Sequence, residues 1–118
     1  MDHHCPWFNN CVSFTNYKSF LLTITYSTLL AIFTLLTTIP GALKAWFSCG
    51  LCFETLQVNG LVVCSAITSV SLGVLVPIHI DFVLRNVTTL ENMGSTVLRE
   101  ADDSFNLGRK RNFVQVSL

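Results

Sequence analysis

Two long stretches without a single charged residue constrain this chain more than any other feature. The first lies between Lys18 and Lys44, and the second lies between Glu54 and Asp81. A helix that crosses a bilayer needs about 20 mostly apolar residues, and both stretches are long enough. Helices that pack against the core of a soluble bundle usually have a polar face toward solvent. Neither stretch contains the charged residues of such a face. We therefore predict two transmembrane helices.

The composition agrees with a small membrane protein. The chain has 118 residues, of which 12% are charged, whereas ordinary soluble domains carry about 25%. Its formal net charge is zero, so nothing in the charge balance indicates nucleic acid as a partner. The five cysteines are odd in number and irregularly spaced, which argues against a secreted disulfide framework.

The two helices are predicted at about 20–39 and 58–84. Pro40 and Gly41 are expected to end the first helix, and Pro77 is expected to bend the second near its end. The predicted segments are therefore a head at 1–18, a membrane helix at 19–41, a loop at 42–57, a membrane helix at 58–84 and a tail at 85–118.

The positive charges predict the orientation of these segments. Six of the seven basic residues lie on the side of the two termini, and only Lys44 lies in the predicted loop. Basic residues mark the cytoplasmic side, so both termini are expected there and the loop is expected to be lumenal or extracellular. The predicted fold class is an all-α integral membrane protein, a hairpin of two transmembrane helices with a cytoplasmic head and tail.

The head opens with "MDHHCPWFNNC", which holds the residue types of a nucleophilic trio. Cysteine attacks as the thiolate, a histidine can take its proton, and a carboxylate can fix the tautomer of that histidine. Asp2, His3 and Cys5 are these types. Because Pro6 restricts Cys5 to extended backbone, we expect the chain to need a turn before His3 can face Cys5.

The same head contains two good zinc ligands, His4 and Cys11. A structural zinc site needs four ligands, so the head supplies half of one. Exposed polar residues at a membrane surface are the alternative reading. Cys49 and Cys52 would bring the number of zinc ligands to four, but the predicted topology puts them on the other side of the membrane. There they could form a disulfide, form a separate metal site or have no role.

Three motifs together resemble a known family. "DHHCPWFNNCVSFTNYKSF" is similar to the signature of the DHHC-type protein S-acyltransferases, the protein palmitoyltransferases. "NVTTLENM" resembles the Thr-Thr-x-Glu motif of that family, and "FNLGRKRNFVQVSL" resembles its C-terminal motif. His79 matches a histidine commonly found before the Thr-Thr motif. The resemblance covers nearly the whole chain, in the right order.

The resemblance implies an activity and a set of roles. The enzyme would transfer a fatty acyl group from acyl-CoA, through an acyl-cysteine intermediate, to membrane-proximal cysteines of substrate proteins. Cys5 would be the nucleophile, His3 its base, and Asp2 the group that orients His3. His4 and Cys11 would be ligands of a structural zinc. The location would be multi-pass in the Golgi, the endoplasmic reticulum or the plasma membrane.

Further positions are assigned supporting roles by the same resemblance. Thr89 would contact Asp2 from the segment that contains Thr88 and Glu91, and Asn112 would tie the tail to the helix ends. Trp7 would lie at the mouth of a cavity for the acyl chain. The apolar membrane interior suits such a chain, since each buried methylene contributes about 0.8 kcal/mol.

The chain also departs from the family pattern. Members have upstream zinc ligands and at least four transmembrane helices, and Ser13 stands where glycine is usual. We therefore expect the chain to be the C-terminal part of a longer protein. The alternatives are a non-catalytic truncated membrane protein that associates with full-length partners, and a small metal-binding membrane protein.

Several polar residues near the predicted membrane edges keep two readings. Arg109, Lys110 and Arg111 would meet the phosphates of coenzyme A or would attract anionic lipid. His79 and Asp81 would be functional groups or a helix end that reaches interfacial water, and the second reading is preferred. Tyr17 and Trp46 are expected to be interfacial anchors.

Overall fold

The computed structural model describes residues 1–93 and 106–117 and is mostly helical. Within these residues, two short strands precede two long helices and two short ones: β1 His3–Cys5, β2 Asn10–Val12, α1 Tyr17–Cys49, α2 Phe53–Arg85, α3 Thr89–Met93 and α4 Arg109–Ser117. The prediction of a helical chain is thus confirmed, with a small β-sheet added to it. The part of the predicted tail at 94–105, together with residue 118, lies outside the described residues.

The chain divides into two compact units. One comprises Met1–Thr23 and Val76–Leu118, and the other comprises Ile24–Leu75. The first unit therefore combines the strands, the start of α1, the end of α2 and both short helices. The second unit contains the remainder of α1 and α2 and the turn that joins them.

The β-hairpin is short and regular. β1 and β2 are antiparallel, and His4 stands directly opposite Cys11 in the register. The turn at 6–9 is closed by the N–H groups of Phe8 and Asn9, which donate to the carbonyls of Cys5 and Pro6 at 3.2 and 3.3 Å. Asn9 has a φ of 47°, in the left-handed region that asparagine tolerates better than most residues.

Each long helix extends beyond its predicted bounds. The prediction that Pro40 and Gly41 end α1 is wrong. α1 passes through Pro40 and ends at Cys49, so the link to α2 is only residues 50–52 and not 42–57. A proline removes one intrahelical hydrogen bond. Strong helix formers follow it, Ala42 and Leu43 among them, and they continue the helix.

Four threonine hydroxyls of α1 are satisfied within the helix. Each donates to a carbonyl four residues earlier, so that no partner outside the helix is required. The bonds run from Thr23 to Ser19, from Thr28 to Ile24, from Thr34 to Leu30 and from Thr37 to Phe33, at 2.7 to 2.9 Å. These hydroxyls are therefore compatible with an apolar surrounding.

Both long helices are long and apolar enough to cross a membrane. The most apolar 18-residue stretch of each has a mean hydropathy of 1.9 in α1 and 2.3 in α2, and only 22% and 6% of these stretches is buried within the protein. A core helix of a soluble protein would bury that surface. Large apolar side chains of α1 and α2 lie exposed instead, including Leu30, Phe33, Leu36, Ile67 and Val70.

The end of α2 has a specific cap that directs the chain toward the head. Asn86 has a φ of 57°, and its N–H donates to the carbonyl of Val83 at 3.2 Å. The N–H of Val87 donates to the carbonyl of Phe82 at 3.0 Å. This pair of bonds is the Schellman arrangement, with asparagine in the place where glycine is commonest. The cap turns the chain so that the next residues, Thr88 and Thr89, lie beside the β-hairpin.

Candidate functional site

The alternation of side chains along β1 separates the two histidines of the head. Residues two apart in a strand point to the same face, so His3 shares a face with Cys5 and His4 points to the other. The expectation that the chain must turn before His3 can face Cys5 is therefore wrong, because an extended strand already puts them on one side. Cys5 is buried, with 7% of its surface exposed.

The carboxylate of Asp2 is the centre of the site. It is 3% exposed, and its Oδ2 lies 2.5 Å from Nδ1 of His3. The backbone N–H and the hydroxyl of Thr89 donate to the same carboxylate at 2.6 and 2.8 Å. Since the carboxylate only accepts, Nδ1 of His3 carries the proton and Nε2 is left as the proton acceptor.

These contacts also set the charge of Asp2. Burial by itself raises the pKa of this carboxyl, but the bonds from the Thr89 N–H, the His3 ring and the Thr89 hydroxyl stabilise the ionised form more. The pKa of Asp2 is consequently lowered from its ordinary value of 3.8. Asp2 is therefore an anion at neutral pH and can support a positive charge on His3.

The sequence Thr88-Thr89-Leu90-Glu91 forms a capping box at the start of α3. The Glu91 N–H donates to the Thr88 hydroxyl at 3.2 Å, and the Glu91 carboxylate accepts the Thr88 N–H at 2.7 Å and its hydroxyl at 2.8 Å. Each residue satisfies the other, as this motif requires. The N–H of Thr89, the first residue of the helix, stays available for Asp2, so Thr88 and Glu91 position the group that binds the carboxylate.

Asn112 joins the C-terminal segment to the end of α2. Its side chain is fully buried, and its Nδ2 donates to the carbonyl of Leu84 and to Oδ1 of Asn106, both at 2.9 Å. Its Oδ1 accepts the N–H of Leu107 at 3.0 Å. Leu84 is next to the last residue of α2, where carbonyls lack partners within the helix, and Asn112 supplies one.

His4 and Cys11 fit together as two ligands of one zinc ion. They are opposite each other across the hairpin, and Nδ1 of His4 lies 3.4 Å from Sγ of Cys11. Two such ligands on a tetrahedral zinc, with bonds of about 2.0 and 2.3 Å, would be about 3.5 Å apart. Among the described residues, no group of three or more such donors occurs, so this pair could supply two of the four ligands that a structural zinc needs.

Trp7 lies apart from the buried cluster around Asp2. It is in the hairpin turn and is 93% exposed. An open groove of about 160 Å³ lies beside the hairpin. Phe8, Val12, Phe20 and Thr23 line this groove, and Trp7 does not. The polar residues Asn10, Asn16 and Ser19 also line this groove.

An aromatic group that no sequence pattern indicated lies behind His3. His79 is 4% exposed and its Nδ1 is hydrogen-bonded to the Tyr17 hydroxyl at 2.7 Å. Phe20 lies against His3 and His79, with ring centroids at 5.4 and 5.0 Å. The expectations of an interfacial Tyr17 and of a His79 that reaches water are therefore wrong, since both side chains are buried. Their positions at helix ends suggested the surface, and only the folding of α1 against α2 at this end covers them.

Comparisons with known proteins show relatives of this chain. A family model described as DHHC palmitoyltransferase matches residues 1–96. Palmitoyltransferase ZDHHC2 of Homo sapiens is 42% identical over 120 residues, covering 98% of this chain and 32% of the relative. Palmitoyltransferase ZDHHC15A of Danio rerio is 37% identical over 121 residues, covering 98% of this chain and 36% of the relative. The chain thus spans about a third of the length of these relatives. It belongs to the DHHC palmitoyltransferase family.

Proposed function

We propose that this chain carries the nucleophilic centre of a protein S-palmitoyltransferase, with Cys5 as the residue that is acylated. The observation that supports this most directly is the contact of Asp2 with Nδ1 of His3, on a strand where His3 and Cys5 share a face. That arrangement leaves Nε2 of His3 as a base on the side of the thiol. Family membership supports the same chemistry.

The reaction has two balanced steps. In the first, Nε2 of His3 takes the proton of Cys5, the thiolate attacks the carbonyl carbon of acyl-CoA, and the thioester bond to coenzyme A breaks. The proton returns from His3 to the departing sulfur. In the second, His3 takes the proton of a substrate cysteine, which attacks acyl-Cys5 and releases the Cys5 thiol. Asp2 stabilises the imidazolium in both steps.

The remaining residues are proposed to bind and orient. Thr88, Thr89 and Glu91 hold Asp2 in place, and Asn112 secures the tail against α2. His4 and Cys11 would hold zinc, which would restrain the hairpin when bound and take no part in the chemistry. Trp7 is proposed to lie at the entrance of the acyl site.

The partners and location follow from the same proposal. The chain would act on fatty acyl-CoA and on proteins with cysteines close to a bilayer, in an endomembrane or the plasma membrane. Both termini would be cytoplasmic, because six of the seven basic residues lie toward them. A glycosylation acceptor inserted between Gly50 and Leu51 should be modified in microsomes, and one inserted near Asp103 should not. The reverse result would overturn this orientation.

An acyl-labelling experiment tests the function. The chain, in detergent or in membranes, is incubated with a labelled acyl-CoA, and the label is tested for release by hydroxylamine, which cleaves thioesters. We expect label on the wild-type chain, none on Cys5→Ser, and normal labelling of the control Cys64→Ser, which changes an exposed cysteine of α2. Label that persists in Cys5→Ser would assign the chemistry elsewhere. A wild-type chain without label would favour the non-catalytic alternative.

A further inference from the structure

Behind the proposed base lies a buried polar pair that the reaction as described does not use. Tyr17 is the first residue of α1, and His79 lies near the C-terminal end of α2, 62 residues later in the sequence. The two residues are 8% and 4% exposed. The neighbours of His79 in α2, Ile78 and Ile80, are 42% and 39% exposed. His79 therefore faces the interior at a level where the helix otherwise presents apolar surface.

Burial of these two polar groups has a cost that an apolar pair would avoid. A histidine and a tyrosine that leave water must find partners for their ring nitrogen and hydroxyl. The Tyr17 hydroxyl and Nδ1 of His79 satisfy each other at 2.7 Å. A phenylalanine at either position would fill a similar volume without that requirement, so packing alone does not account for the pair.

The position of the pair relative to His3 suggests what it does. The Asp2 carboxylate restrains one edge of the His3 ring at Nδ1. The sides of that ring are restrained by packing against Phe20 at 5.4 Å and against His79 at 5.9 Å between centroids. His79 in turn is fixed by the Tyr17 hydrogen bond and by edge contacts with Phe20 and Phe82, at 5.0 and 5.6 Å.

We propose that His79 and Tyr17 are positioning residues that fix the imidazole of His3 in the orientation from which Nε2 reaches Cys5. Tyr17 holds His79, His79 supports the His3 ring, and Asp2 holds its edge. This inference rests on the proposed function, because it assigns the pair to the base of that reaction. A misplacement of a reacting group by about 1 Å can lower a rate about a hundredfold, so a support of this kind has a measurable effect.

Tyr17→Phe is the sharpest test, because it removes one oxygen and keeps the ring. The chain has only one other tyrosine, Tyr26, which is 66% exposed in α1, so Tyr26→Phe is a matched control. We expect Tyr17→Phe to lower the rate constant of Cys5 acylation about tenfold, with the KM for acyl-CoA changed by less than about twofold. Tyr26→Phe should keep both values. Far-ultraviolet circular dichroism checks that each variant retains its helices.

A second variant protects the test against loss of folding. His79→Asn keeps a polar atom near the position of Nδ1 but removes the ring that supports His3. We expect slower acylation than in wild type, again with little change in KM. A purely structural role would instead lower the stability of a variant while its folded fraction kept the wild-type rate constant.

A spectroscopic readout separates this inference from the proposed function. The chain has three histidines, so selective ¹⁵N-histidine labelling gives a spectrum in which His3 can be assigned by substitution. We expect Tyr17→Phe to shift or broaden the His3 ring signals, and Tyr26→Phe to leave them unchanged. Unchanged His3 signals in Tyr17→Phe would overturn the positioning role even if wild type is acylated. Absence of acylation in wild type, with His3 signals that respond to Tyr17→Phe, would overturn only the proposed function.

Discussion

Thr89 binds Asp2 through two donors, its backbone N–H at 2.6 Å and its hydroxyl at 2.8 Å, although 87 residues separate them in the chain. The contact joins the start of the head to the segment that follows α2. It satisfies a carboxylate that is only 3% exposed. The geometry of the proposed base therefore depends on a helix cap beyond the second long helix.

Removal of the Thr89 hydroxyl should weaken the support of Asp2. Hydrogen bonds to charged groups contribute about 1.5–3 kcal/mol, so Thr89→Val should lower the rate of Cys5 acylation about tenfold or more. Thr89→Ser should restore most of the rate, because it returns the donor. Thr68→Val, which changes an exposed threonine of α2, is the control. Equal rates in Thr89→Val and wild type would show that the backbone N–H suffices.

The lowered pKa of Asp2 predicts how stability depends on pH. A carboxyl whose pKa is lower in the folded state stabilises it above the unfolded pKa, and this contribution is lost as pH falls through the folded pKa. The wild-type chain should therefore be more stable than Asp2→Asn at pH 7, and the difference should shrink below about pH 4. Thermal unfolding in detergent across that range measures it. Because wild type and Asp2→Asn share all other titrating groups, the effects of those groups cancel in the difference between the two stabilities. A difference that stays constant with pH would contradict the prediction.

Asn112→Ala should release the C-terminal segment from α2. The substitution leaves the carbonyl of Leu84 and the N–H of Leu107 without this partner, and a buried unsatisfied group costs about 1–3 kcal/mol. Limited proteolysis should then cleave before α4 faster than in wild type. Gln115→Ala, at an exposed position of the same helix, should behave as wild type. A proteolysis rate unchanged by Asn112→Ala would mean that other contacts hold the segment.

The 118-residue chain should bind zinc below one ion per molecule. A complete structural site contributes on the order of 10 kcal/mol, whereas His4 and Cys11 would provide only two of four ligands. Elemental analysis after dialysis should give a low zinc content that falls further in His4→Ala and does not change in Cys64→Ser. Stoichiometric zinc in the wild-type chain would indicate that further ligands join this pair.

The sequence determined the long helices because their cause is local. An uncharged apolar run of more than 20 residues predicts a membrane helix at any position in a chain. The free energy of transferring each side chain from water into the bilayer depends little on the neighbouring residues. The ends of those helices were less predictable. Pro40 is a strong local signal for a helix end, but α1 passes through it and continues to Cys49.

The site divides in the same way between sequence and tertiary structure. Residue types alone indicated the proposed chemistry of Asp2, His3 and Cys5, whereas the role proposed for Thr89 came from the resemblance of its motif to the family. Only the fold decided that β1 puts His3 and Cys5 on one face and that His4 meets Cys11 across the hairpin. Only the fold also buries His79 against Tyr17, since a contact over 62 residues depends on how the helix ends pack, and no local pattern encodes that packing.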